Sequence, residues 1–437
     1  MSLAPQTIGL LGMLGLLVLI FIRVPVAVAL GIVGFVGYAA IEGWQRALLV
    51  LGNTPFDIAS GYALSVVPLF ILMGALASEF GMSAKLFKAA KSLFNGFRGA
   101  EAMATIGACA GFAAVCGSSL ATAATMSRIA IPEMRAGGYD DRLSVGVVAA
   151  GGTLGILLPP SIIFVIYAII AQQSVLRLFA AGLIPGLVLM VLYMMVVGLL
   201  VIVRPAWAQP GQSLSLRQRL RDMRQMWEIA LLFGVSIGGM YAGWFSPTEA
   251  AAIGAFGAFM LATMTGQMSL ARFWICVRQS VQTTAMLFFI MIGAFLFSYF
   301  TVQTQLPTTL VALVRQAGLS PLYVMLVLIA IYIILGCFLD GIGMILVTVP
   351  IFFPLVVENG FDPVWFGVML VTLMEIGLIH PPVGMNLFVI RAQIPDIRLS
   401  AIYLGVLPFL IAQAMLIVLL LAFPRMALWL PASLYGR

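Results

Sequence analysis

Charge is scarce in this chain: only 8% of its 437 residues are Asp, Glu, Lys or Arg, against roughly a quarter in ordinary soluble domains. A water-facing globular surface of usual composition is excluded. Histidine is scarcer still, since His380 stands alone and no second histidine can join it in a metal site. The four cysteines, Cys109, Cys116, Cys276 and Cys337, form no CxxC pair and fall in apolar sequence. They read as small packing residues rather than metal ligands or a disulfide framework, and they do not reveal the redox compartment. A GxxxxGK(S/T) loop is missing, which argues against an ATP-driven pump. No basic region precedes the first apolar segment and no small-residue cleavage site follows it, so that segment reads as a first span rather than a leader.

What fills the chain is apolar, at 63% hydrophobic residues. Leu187 to Val203 reaches the lower limit of about 17 residues for a transmembrane helix and Ala401 to Phe423 exceeds it. The pattern predicts an all-α polytopic membrane protein, contacting lipid. Its net charge of +7 then reports topology rather than nucleic-acid affinity, because basic residues flank cytoplasmic span ends.

Four landmarks recur in order. "VPVAVALG" (24–31) returns as "SPTEAAAIG" (246–254), "FILMGAL" (70–76) as "FIMIGAF" (289–295), Ile131-Pro132 as Val349-Pro350, and "GILLPPS" (155–161) as "GLIHPPV" (377–383). Their offsets all lie between 218 and 222 residues, which predicts a duplication: residues 1–203 and 226–437, joined by a basic polar linker over 204–225. Each half reads as two spans, a connecting segment, a third span, a Gly-rich pair of short helices, a broken span and a final span. The paired segments fall near 101–135 and 321–357 and the broken spans near 143–171 and 363–392. If each pair is a re-entrant hairpin, five crossings per half remain, and an odd number sets the halves in opposite orientation, an inverted repeat. The basic residues fit this. With the linker inside, 17 of the 22 Lys and Arg fall on the cytoplasmic side, and only Arg46, Arg177, Arg315, Arg425 and Arg437 fall outside. Both termini are then periplasmic. Lys85, Lys88 and Lys91 recur along one face of a segment whose other face carries Leu86, Phe87, Leu93 and Phe94, which predicts an interfacial helix touching anionic headgroups.

Broken helices persist in lipid only where protein or a water-filled cavity receives the freed peptide groups. Two breaks are written here, Gly151 to Ile163 and "EIGLIHPPVGMN" (375–386), each combining glycines with Pro-Pro, which removes two amide donors in succession. Such breaks leave carbonyls for a cation and helix N-terminal amides for an anion. The hairpin tips add polar groups. Gly117 permits a tight turn beside the hydroxyls of Ser118, Ser119 and Thr122, and Asp340 is the only charge between Arg315 and Glu358. Carbonyl and hydroxyl oxygens at these positions suit Na+, while the simpler reading of Ser118 and Ser119 is close helix packing and that of Asp340 a tip exposed to water. Glu375 and its duplicate Thr153 precede the two breaks and could orient a hairpin or join ion binding. Glu249 reads as a supporting carboxylate at a helix N-terminus, with Ser246 as N-cap and Glu249 as its capping-box partner.

These residues resemble the large membrane subunit of tripartite ATP-independent periplasmic (TRAP) transporters, the DctM-type subunit. The resemblance rests on "GSSLATAATMSRIAIPEMRAGGYD", "GTLGILLPPSIIFVIYA", "LFAAGLIPG", "FSPTEAAAIG", "FLDGIGMILVTVPIFFPLV" and "DPVWFGVMLVTLMEIGLIHPPVGMNLFVI", and departs at His380, where Thr is more usual. It implies an elevator-type carrier of the ion transporter superfamily in a bacterial inner membrane. It further implies a Na+ gradient as driving force, no other cofactor, and two partners: a small four-helix membrane subunit and a periplasmic substrate-binding protein. The substrate would be an organic acid. Carried over by position, Gly117, Ser118, Ser119 and Thr122 with Gly151 and Thr153 form one sodium region. Asp340, Gly341, Gly377 and Pro381 form the other, and Ser119, Pro159, Pro160, His380, Pro382, Gly384 and Asn386 would face the anion. Alternatives are a stand-alone sodium-coupled anion symporter and an intramembrane serine protease using Ser119 and His380.

Overall fold

The computed structural model describes residues 4–209, 211, 214–337 and 339–436. Phe338 at the second tip, three linker positions and Arg437, one of the five outer basic residues, lie outside these. Among the described residues every regular element is helical.

The first half opens with α1 (Pro5–Phe21) and α2 (Val26–Glu42). An amphipathic α3 (Trp44–Ser60) follows and then, past a 3-10 turn, α4 (Val66–Glu79). α5 (Met82–Leu93) is the expected amphipathic helix. Each of its lysines also meets carboxylates. Lys85 bonds both oxygens of Glu228 at 2.6 and 2.9 Å, Lys88 pairs with Asp222 at 3.5 Å, and Lys91 meets Glu101 at 2.7 Å and Glu133 at 3.1 Å. Burial alone would lower the Lys91 ammonium, but the hydrogen bonds and charges of Glu101 and Glu133 outweigh it and hold the group above its ordinary value. A half-buried ammonium held by fixed carboxylates gains charge-assisted hydrogen bonds. Asp222 belongs to α11 (Leu216–Arg224) in the linker and also accepts from Ser92 at 2.7 Å. The linker is thus clamped to α5.

Between α5 and the linker lie the paired and broken helices. α6 (Ala100–Cys116) and α7 (Ser119–Ala136) meet at a tip where Gly117 has φ +64° and Ser118 caps α7. Asp140 caps α8 (Asp141–Leu157), which stops at Pro159-Pro160; α9 (Ile162–Ile170) resumes with Ser161 as its N-cap, the two bent by 41°. α10 (Val175–Val203) closes the half.

The second half follows the same order. Past α12 (Trp227–Phe233), a π turn and the short α13 (Gly239–Tyr241) comes α14 (Pro247–Met264), whose N-terminus carries the expected Ser246/Glu249 capping box. α15 (Leu270–Gln303) is one unbroken helix of 34 residues. At the repeat offset it covers the positions of the later part of α3 and all of α4, because the Gly61 turn that separates those two has no counterpart in it. After α16 (Leu306–Gln316), α17 (Pro321–Gly336) and α18 (Gly341–Glu358) form the second pair. α19 (Pro363–Ile379), capped by Asp362, stops at Pro381-Pro382, and α20 (Met385–Gln393) resumes after it. α21 (Leu399–Ala422) and α22 (Arg425–Tyr435) end the chain. Both Pro-Pro bonds are cis.

Among the described residues, five helical stretches are each long and apolar enough to cross a membrane, and the bent α8–α9 pair passes the same test jointly. Their packing relies on small residues. α2 and α15 cross with Gly31 facing Gly293 and Gly34 facing the backbone of Leu296 and Phe297, the close approach that glycine permits between membrane helices. A side chain at Gly34 would fall on that backbone, whereas Gly15 has open space around it. Gly34→Val should therefore cost about 1–3 kcal/mol by overpacking and lower the melting temperature of the purified protein by several degrees, with Gly15→Val near wild type. Equal melting of the two variants would show that the α2–α15 crossing does not depend on this contact.

Candidate cation and substrate site

Each hairpin tip packs on the break of its own half. In the first half, a Cβ at Gly117 would fall on the Pro160 carbonyl oxygen, and one at Gly155 would lie 2.9 Å from the Ser118 carbonyl and 3.1 Å from the Ser119 amide. The tip is braced internally by the Thr122 hydroxyl, which donates to the Ser118 carbonyl at 2.8 Å, and by the Ser118 hydroxyl, which accepts from the Ala121 amide at 3.4 Å. Break and tip therefore pack backbone to backbone, with Pro159 and Pro160 buried over the Gly117 turn. The Ser161 hydroxyl donates to the freed Ile156 carbonyl at 2.5 Å and accepts from the Phe164 amide at 3.3 Å, satisfying groups the break leaves open.

In the second half, Asp340 caps α18 through the Gly343 amide at 3.2 Å. It lines a cavity of about 50 Å³ with Gly341, Met374, Gly377, Val383 and Met385. Gly336 and Gly377 bring α17 and α19 within backbone contact, since a Cβ on Gly377 would lie 2.9 Å from the Gly336 carbonyl oxygen. Gly384 enters α20 with φ +54°, a left-handed conformation that favours glycine. The Pro382 carbonyl accepts from the Tyr403 hydroxyl at 2.9 Å. His380 has its Nδ1 3.7 Å from the Cys337 sulfur.

One residue joins the first tip to the second break. Asn386, fully buried at the start of α20, places its amide nitrogen 2.8 Å from the Ser119 hydroxyl and 3.3 Å from the Ala149 carbonyl, with its oxygen 3.2 Å from the same hydroxyl. The first tip, the first broken helix and the second break thus share one hydrogen-bonded centre.

Other sequence-predicted residues lie elsewhere. Gly151 is covered by Cys109, whose sulfur would be 2.7 Å from an added Cβ. The Thr153 hydroxyl turns away from the tips, donating to the Ala150 carbonyl at 2.8 Å and lying 3.0 Å from the Tyr193 hydroxyl. Glu375 is fully buried with neither carboxylate oxygen hydrogen-bonded. Glu249 stays at its exposed helix terminus, accepting from the Ser246 amide at 2.8 Å. Ser119 and His380 have different partners, Asn386 and Cys337, so the serine has no imidazole base. Sequence reasoning did not single out Tyr193, Gln413 or the pairing of Cys337. Gln413 could have been found as the one amide in the apolar run of α21.

A multi-pass helical body whose two interrupted helices are each closed by a hairpin tip, with hydroxyl, amide and carboxylate oxygens gathered there, has the architecture of a membrane transporter. Residues 13–426 match the family described as "Tripartite ATP-independent periplasmic transporter, DctM component", and the chain belongs to that family. It is a transporter large permease and not an enzyme. It is 38% identical over 378 residues to the C4-dicarboxylate TRAP transporter large permease protein of Pseudomonas aeruginosa, covering 86% of this chain and 88% of the relative. It is 31% identical over 410 residues to the sialic acid TRAP transporter large permease protein of Vibrio cholerae, covering 92% and 95%. The solved structure of MtrF from Neisseria gonorrhoeae matches with a TM-score of 0.61 at 15% identity, covering 96% of this chain and 95% of that one, a likeness of fold alone.

Asn386→Ala leaves Ser119 and the Ala149 carbonyl without their amide in a buried centre, which should cost about 1–3 kcal/mol. The expected result is a melting temperature several degrees below wild type in detergent. An unchanged melt would show that the two halves are not held through this residue.

Proposed function

We propose that this chain is the sodium-driven permease of a tripartite importer in a bacterial inner membrane, moving an organic acid by an elevator motion. The observation that carries the reading is the paired tip-to-break junctions, linked through Ser119 and Asn386. Gly117, Ser118 and Ser119 with the first break, and Asp340 and Gly341 with the second, supply the hard oxygen ligands that Na+ prefers. The anion then sits between these two regions. Thr153 and Gly151 support the first region from behind rather than ligating.

Residues 1–203 and 226–437 act as inverted repeats, with both chain termini periplasmic. The charge distribution supports this: Lys85, Lys88, Lys91, Arg135 and Arg219, all assigned to the inner face, are gathered in ion pairs or hydrogen bonds around the linker and its neighbours. Arg177, assigned to the outer face, meets the Gly436 carbonyl at 3.3 Å. The tripartite family implies the two partners, a periplasmic substrate-binding protein and a small four-helix membrane subunit. The relatives' substrates, C4-dicarboxylates and sialic acid, support a carboxylate cargo.

The deciding experiment is uptake into proteoliposomes holding both membrane subunits, with the binding protein outside and carboxylates scanned under an inward Na+ gradient. Accumulation should require both the gradient and the binding protein. Accumulation without the binding protein would instead indicate a stand-alone symporter. Asp340→Asn should reduce sodium-driven uptake at least about ten-fold, a change of roughly 1.4 kcal/mol, while leaving gel-filtration behaviour intact. Wild-type rates and sodium dependence in that variant would remove Asp340 from the site.

A further inference from the structure

Away from the tips, the chain leaves α10 through a short polar corner where two arginines meet one tryptophan. Arg204 ends α10, a 3-10 turn over Pro205–Trp207 follows, and Arg142 stands in the first turn of α8. The Arg142 guanidinium carbon lies 5.8 Å from the centre of the Trp207 ring and that of Arg204 lies 5.4 Å from it, both within cation–π range. Those distances put the two guanidinium carbons at most about 11 Å apart. The indole is fixed by its backbone, whose amide donates to the Arg204 carbonyl at 3.0 Å and whose carbonyl accepts from the Asp140 amide at 3.1 Å.

Two like charges gathered on one ring call for a counter-anion, and the described residues do not supply it. No carboxylate among them lies within 4.0 Å of either guanidinium. The nearby acids are already committed: Asp141 and Asp396 pair with Arg135 at 2.7 and 2.8 Å, and Asp140 accepts from the backbone amide of Arg142 at 2.8 Å. The planar forks of Arg142 and Arg204, which suit phosphate oxygens, are left with the indole alone.

The surface beside them is aliphatic. On α10, Leu199, Ile202 and Val203 are 62%, 76% and 65% exposed, while Val197 and Val201 are buried. Spacings of three and four residues set Leu199, Ile202 and Val203 on one helical face, and that stripe ends at Arg204. An aliphatic stripe followed by an indole and two cations matches the order of a phospholipid at the membrane interface: acyl chain, then headgroup. A free phosphate would engage the guanidiniums and leave the stripe bare.

We propose that Arg142, Arg204 and Trp207 form a binding site for an anionic phospholipid, its phosphate held by the guanidiniums and an acyl chain laid along the α10 stripe. Both arginines are among those assigned to the inner face, so the lipid belongs to the cytoplasmic leaflet. Because the Trp207 carbonyl is bonded to the Asp140 amide, the lipid ties the start of the linker to the corner between the first hairpin and α8. The site is separate from the tip-to-break junctions and needs neither cargo nor sodium.

Trp207 itself reports the occupant. The protein is reconstituted in phosphatidylcholine vesicles containing a fraction of either phosphatidylglycerol or phosphatidylcholine with brominated acyl chains, which quench indoles they touch. The chain has 7 tryptophans, so the Trp207 signal is the difference between wild type and Trp207→Phe. That signal should show phosphatidylglycerol favoured at least about ten-fold, and Arg142→Gln and Arg204→Gln should each lower the preference about five-fold. Arg278→Gln, at an exposed position on α15, should leave it unchanged. Equal quenching by the two lipids, a preference that survives in Arg142→Gln and Arg204→Gln, or an equal loss in Arg278→Gln would overturn the proposal. Displacement of phosphatidylglycerol by excess inorganic phosphate would also overturn it, since the site would then be one for a free anion. If Trp207→Phe does not fold, native mass spectrometry of Arg204→Gln decides: fewer retained phosphatidylglycerol molecules than wild type support the site, and an equal number overturns it.

Discussion

Everything in this structure depends on covering the peptide groups that two broken helices expose at membrane depth. In hydrocarbon an unpaired amide or carbonyl costs several kcal/mol, so a Pro-Pro interruption survives only where something polar and close-fitting sits against it. The hairpin tips do this by backbone approach: Gly117 and Gly155 let the first tip lie on the first break, and Gly336 and Gly377 let α17 lie on α19. Glycine at these contacts removes the Cβ that would hold the chains apart, and the caps Ser118, Ser161 and Asp340 then satisfy the new helix ends. The same arrangement leaves hydroxyl and carboxylate oxygens in a confined place.

Around this centre, most of the ion pairs gather the charges of α5, the first hairpin and the linker. The lysines of α5 meet carboxylates from the linker region, from α6 and from α7, while Arg135 ties α7 to α8 through Asp141 and to the segment before α21 through Asp396. These pairs link the linker, the first hairpin and the last helices at one face. Inside the body the contrast is complete: neither carboxylate oxygen of the buried Glu375 has a hydrogen-bond partner.

Local chemistry made much of the architecture legible. Length and hydropathy marked the spans, Pro-Pro with glycines marked both breaks, and Ser246 with Glu249 marked a capping box that the structure contains. The four recurring landmarks located corresponding elements, including Asp140 and Asp362, which cap the two helices that break. Less legible were features depending on partners distant in sequence. The ion pairs of the α5 lysines left no local signal, because Asp222 and Glu228 lie more than a hundred residues away. α15 read as a shorter span because only the absence of a turn, not any positive signal, fuses its two parts.

The sequence alone determined where the chain is helical, where it must break and where it turns, because periodicity, proline, glycine and capping act over a few residues. Tertiary structure alone decided what those breaks face. Ser119 meets Asn386 rather than His380, the lone histidine meets Cys337, and Thr153 turns away from the tips toward Tyr193. Such pairings follow from the rotation and register of one helix against another, which many small glycine and alanine contacts set together and no short stretch of sequence encodes.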